Sequence, residues 1–197
     1  MYMINNIKEV KNMEEFLITC CAPTLAGKKV GNIFNLKKTC VTNFEIKKWA
    51  LLLKRFKIEV RIIKETKDAY LIYVYRENLL KNILAQEQIK DFLHNYGYIS
   101  PKTEDMIKCL TLRLKEKDEF PHEIGIFLGY PLIDVIGFIK NKGKCYKKCD
   151  LWKVYGDEFK CNELFKEYRK CKYCFQKMYE EGFKTSEIIE KYAESYQ

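Results

Sequence analysis

The stretch from Lys57 to Arg76 leaves the chain little freedom. In KIEVRIIKE and DAYLIYVYR, apolar and polar side chains alternate on either side of TKD. That is the two-residue period of strands joined by a tight connection, and it predicts a β-hairpin. Every other regular segment has helical spacing or is short, so the hairpin sets the class: an α+β domain in which helices cover a small antiparallel sheet.

The helices follow from caps and periodicity. NMEEFLITCC (12–21) carries apolar residues at helical spacing behind a capping Asn12, with two glutamates in its first turn. Pro23 leaves two readings open, a helix that stops before Cys21 or one that runs through it, because proline also suits the first turn of a second helix. TNFEIKKWALLLKRF starts on Thr42 or Asn43, and residues 77–97 and 103–117 read as helices separated by YGYISP. In FPHEIGIFLGYPLIDVIGFIKNKG (120–143), residues Ile124 to Leu128 suit a strand or a short buried helix. Pro131 opens a helix that runs to Lys140 and closes at Gly143. DLWKVYG is a short strand candidate, followed by a long helix over 157–179 and another after Thr185. With no repeat or low-complexity linker, residues 1–197 read as one domain.

Thirty-six Lys and Arg against 27 Asp and Glu give a net charge of +9. The excess is local: between Lys140 and Lys177 stand 12 basic and five acidic residues, whereas the last 20 residues carry two Lys and five Glu. A basic C-terminal face attracts an anionic partner without specifying which. The lysines of GKCYKKCDLWKVYG alternate with Tyr146, Trp152 and Tyr155, a composition found in single-stranded nucleic-acid binders, but lysines outside and aromatics inside explain it better. The N-terminus lacks the basic start and apolar run of a signal peptide, and no window reaches the length of a membrane span. A cytoplasmic, reduced setting is therefore expected for the nine cysteines.

No G-x-x-x-x-G-K-[ST] or G-x-G-x-x-G motif is present, which removes support for nucleotide-dependent chemistry. Only His94 and His122 can act as near-neutral bases. His94 sits at a helix end, whereas His122 stands between Phe120-Pro121 and an apolar element, where an imidazole can be held in place. An early cysteine, a histidine about 100 residues later and then an Asp or Asn is the papain-like order, and a cysteine ahead of a helix N-terminus gains from the macrodipole. Cys21 is better placed for this than Cys20. The later cysteines Cys145, Cys149, Cys161, Cys171 and Cys174 include one C-x-x-C, CKYC. A second pair at knuckle spacing is missing, so core packing is expected there rather than zinc, and no metal is assigned.

CCAPTLAGKKVGNIFNL together with FPHEIGIFLGYPLIDVIGFIKNKGKCYKKCDLWKVYGD resembles a family of small proteins from clostridia and other anaerobes known only as a domain of unknown function. Within it the chain is similar to the cysteine-protease-like amide synthetases of polythioamide (closthioamide-type) antibiotic biosynthesis. The resemblance implies a papain-like domain with Cys21 as nucleophile and His122 as its base. Relatives tend to carry histidine where this chain has Cys20. The motif does not fix the third member: Asp134, 12 residues beyond His122, follows papain-like order and is preferred, with Glu123, adjacent in sequence, as the alternative. The implied reaction moves an acyl group from the phosphopantetheine thioester of an acidic carrier protein to Cys21, and then to an amine or diamine. No ATP, metal or other cofactor is required, because the thioester is already activated. Lys28 or Lys29 would meet the pantetheine phosphate. A hydrolase with the same dyad, or a basic adaptor or RNA-binding protein, remains the alternative.

Overall fold

Three strands make the central sheet of the computed structural model, which describes residues 12–116 and 120–195. They are β1 (Gly31–Lys37), β2 (Ile58–Glu65) and β3 (Ala69–Arg76), in spatial order β1-β3-β2 with both pairings antiparallel. The hairpin is the one expected. β3 is its central member, however, and is buried on both faces: Tyr70, Ile72 and Val74 point to one side, and Leu71, Tyr73 and Tyr75 to the other. A register shift between Ile62 and Lys64 leaves Ile63 without a partner on β3 and brings Lys64 opposite Leu71. β1 has no counterpart in the sequence reading.

Each face of the sheet carries its own helical layer. On one side pack α1 (Met13–Cys20), α2 (Ala22–Leu25) and α3 (Asn43–Lys54), joined later in the chain by α9 (Glu158–Glu180) and α10 (Thr185–Ser195). On the other pack α4 (Glu77–Leu84), α5 (Glu87–His94), α6 (Thr103–Glu116), α7 (Ile124–Phe127) and α8 (Leu132–Lys140). Local chemistry explains several boundaries. Asn12 caps α1 by accepting from the Glu15 amide, and Thr42 and Glu45 form a reciprocal capping box on α3. The helical segment 77–97 divides at Gln86, whose backbone is extended. The ambiguous Ile124–Leu128 segment resolves as one buried helical turn, tied to the sheet by a 2.6 Å bond from the Tyr73 hydroxyl to the Phe127 carbonyl.

DLWKVYG does contribute a strand. β4 (Lys148–Cys149) and β5 (Lys153–Val154) form a small hairpin whose Trp152 and Val154 pack with Cys161, Phe165 and Tyr168 of α9. Residues 1–11, in which no leader is expected, and residue 117, the expected end of a helix, lie outside the described residues. No helix among the described residues is long and apolar enough to cross a membrane.

Candidate active site

Cys21 stands at a break between two helices. It closes α1, with its amide donating to the Leu17 carbonyl at 2.9 Å, and opens α2, with its own carbonyl accepting from Leu25 at 2.8 Å. Pro23 in the first turn of α2 makes the restart possible, since it has no amide to satisfy there. The single turn ends at Gly27 (φ +76°), and the carbonyls it exposes are taken by Arg76 at the end of β3. Arg76 Nε donates to the Thr24 carbonyl at 2.8 Å, and its terminal nitrogens donate to the Leu25 carbonyl and, at 3.2 Å, to that of Phe56.

The expected position of the thiol ahead of a helix is thus observed, but the expected activation is not. α2 has one turn, too short for a substantial macrodipole, and Cys21 is fully buried. Burial pushes its thiol well up from the ordinary value, the neighbouring Cys20 adds to this, and Lys29 opposes it only in part.

The sharp turn after α2 is stabilised by Pro23, whose carbonyl accepts from the amides of both Lys28 and Lys29. The two lysines then diverge. Lys28 reaches the surface and pairs with Glu167 of α9 at 3.1 Å. Lys29 is buried, with its Nζ donating to Asn32 Oδ1 at 3.0 Å and lying 5.5 Å from the centre of the Tyr130 ring. Asn32 is oriented by three bonds: Oδ1 also accepts from the Thr24 hydroxyl at 3.0 Å, and Nδ2 donates to the Cys20 carbonyl at 2.7 Å. Desolvation lowers the Lys29 amine from 10.5 to about 8.

Lys29 and Asn32 form part of the wall of a largely apolar cavity of about 390 Å³. Cys21 lies behind that wall, in the core on the α1 face of the sheet. His122 lines the same cavity, two residues before α7. It is exposed and meets Phe138 edge-on at 4.9 Å between ring centres, so the cavity reaches solvent on that side.

Both acidic candidates are engaged by other groups. Asp134, buried in the first turn of α8, accepts from Trp152 Nε1 at 2.8 Å and from the amides of Tyr155 and Gly156 at 2.7 and 2.8 Å. Its remaining contact is the Cys161 thiol at 3.5 Å. Glu123 is equally buried and pairs with Arg113 Nε at 2.5 Å, with the Tyr98 hydroxyl at 3.3 Å. Both carboxylates hold elements together: Asp134 fixes the β4–β5 hairpin on α8, and Glu123 fixes α7 on α6. His94 is at the C-terminus of α5, as expected. Cys145 and Cys149 are exposed, Cys161 and Cys171 are buried in different clusters, and no metal-holding group of His, Cys, Asp or Glu occurs among the described residues.

The residues missed by sequence reasoning are Asn32, which orients the Cys20–Thr24 turn, and Tyr130, which covers Lys29 and stacks on Trp152 at 4.7 Å. Alternation in IFNLK was the available signal for β1, and hence for an ordered Asn32. The chain matches no curated protein and no solved structure. A family model described as a protein of unknown function (DUF3793) matches residues 17–189, a span that contains Cys21, Lys29, His122 and the cavity wall. The chain belongs to that family.

Proposed function

We propose that this protein is a cysteine-dependent acyltransferase with a cysteine-protease-like Cys–His site, forming amides from carrier-protein thioesters. The observation that supports this most is the polar cluster of Cys20, Thr24, Lys29 and Asn32 beside Cys21, set against an apolar cavity that also holds His122. The cavity offers an acyl chain an apolar surface. Burial keeps the thiol neutral at rest behind Lys29 and Asn32, so the proposal requires this wall to give way, and the nucleophile forms only when substrate and imidazole then reach it.

In the first half-reaction, Cys21 sulfur bonds to the thioester carbonyl carbon and the bond to the pantetheine sulfur breaks. The thiol proton passes through His122 to the departing thiolate. In the second, an amine nitrogen bonds to the same carbon, the bond to Cys21 breaks, and the amine proton returns through His122 to the sulfur. The acidic carrier docks on the basic stretch from Lys140 to Lys177. The chemistry draws on no nucleotide or metal.

The test is intact-mass analysis after incubation with an acyl thioester. A covalent adduct should form on the parent chain, be lost in Cys21→Ala and form slowly in His122→Ala. Addition of a diamine should then release an amide. An adduct retained on Cys21→Ala rejects the proposal, and release of free acid alone would make the protein a hydrolase.

A further inference from the structure

Lys29 carries a charge that the described residues leave unbalanced. An ammonium has three donors. Its one hydrogen-bond acceptor here is the neutral Asn32 Oδ1, which Thr24 already shares, and no carboxylate forms an ion pair with it. Lys29 is only 5% exposed, and two donors of a buried cation remain on the wall of the cavity. The other charges on that wall are already engaged. Lys64 Nζ donates to the Leu114 carbonyl at 2.7 Å and Lys153 Nζ to that of Gly143 at 2.7 Å, while the Asp134 carboxylate is surrounded by the donors described above. The rest is chiefly apolar, with Ile33, Leu71, Ile124, Leu128, Val135 and Phe138.

We propose that the cavity is a binding site for an apolar monocarboxylate, the carboxylate paired with the Lys29 ammonium and the hydrocarbon body lying against these side chains. A carboxylate supplies both the countercharge and the acceptors that Lys29 lacks, and a cavity of this size and lining encloses a small-molecule body. The site shares its cavity with the proposed acyl chain but does not rest on acyl transfer: it asks only for binding, and Cys21 lies behind the wall rather than on it.

Isothermal titration of the whole chain with octanoate tests this, with octanamide and octylamine as neutral and cationic counterparts. Octanoate should bind, and the other two should bind at least about tenfold more weakly, the loss expected for one charge-assisted hydrogen bond. Lys29→Met should weaken octanoate to the same extent, whereas Lys28→Met, Lys64→Met and Lys153→Met should each change it by less. A second readout needs no variant: affinity should fall as pH rises past about 8, where the Lys29 amine loses its proton. Cys21, Tyr130, His122, Asp134, Lys64, Lys153 and Cys149 also face Lys29 or the cavity, so this pH dependence must vanish in Lys29→Met. Octanamide binding as tightly as octanoate, or octanoate binding unaltered in a folded Lys29→Met chain, overturns the proposal. Cys21→Ala should lose the acyl adduct and keep octanoate, so the two proposals fail separately.

Discussion

Lys29 is stored in the fold at a cost that a titration reveals. Its folded value of about 8 lies below the ordinary 10.5, so between these values the unfolded chain holds a proton that the native chain has released. Stability attributable to this residue therefore rises with pH through that window and is lowest near neutrality. Relative to Lys29→Met, the parent should gain roughly 2 kcal/mol between about pH 7 and pH 10. Urea midpoints of both chains at the two pH values measure it, and a constant difference would mean that the amine is better solvated than its burial implies. Cys21 gives a second prediction at this scale. With its thiol buried and pushed up, iodoacetamide at neutral pH should modify exposed Cys145 and Cys149 first, as peptide mapping would show. Cys21's position at a helix break was legible because Pro23 announces a restart. The burial of Lys29 was not, since a lysine pair in a glycine-containing turn reads as solvated, and Tyr130, which covers it, is remote in sequence.

Among the elements, the β4–β5 hairpin depends on one side chain. Asp134→Ala would leave the Trp152 indole N–H and two backbone amides without their acceptor, and should cost roughly 3 kcal/mol in urea unfolding, with altered tryptophan emission. If Asp134 instead acts on His122, stability should hold while acyl-adduct formation slows. Gly137 of α8 is a sterically separate check: a Cβ there would lie 2.4 Å from the Tyr155 ring, so Gly137→Ala should destabilise the same contact by about 1–3 kcal/mol despite alanine's helix preference. The hairpin β2–β3 and the caps of α1 and α3 were legible because they are local signals. β1 was not, because an edge strand of this length shows only a few alternating residues and its partner β3 lies far along the chain. The division of α4 from α5 left a trace that was overlooked: apolar spacing of four, from Leu80 to Leu84 and from Ile89 to Leu93, is interrupted by a spacing of five.

At the scale of the whole molecule, the sheet separates two cores, and α9 runs from the α1 face to the cluster around Trp152. The basic stretch from Lys140 to Lys177 covers the small hairpin and most of α9, and Lys160, Lys166 and Lys170 line a groove with Lys28. If an acidic carrier docks there, its association should slow as salt rises, and the triple replacement of Lys160, Lys166 and Lys170 by glutamate should slow it further while leaving octanoate binding intact. Stopped-flow mixing across a salt series measures this. Sequence alone gave the sign of that surface and the proportion of helix to strand. It did not place Cys21 behind the Lys29–Asn32 wall and His122 on the cavity side of it, because that depends on which edge β1 joins.

The Arg76 guanidinium gives the molecule its mechanical character. By riveting the turn that carries Cys21 to the last residue of the innermost strand, it makes thiol and sheet a single anvil, and leaves α7 and α8 as the parts that must yield to an incoming guest. Amide deuteration should therefore be as slow at residues 24–26 as in β3, and a ligand entering the cavity should change the exchange of 124–140 alone.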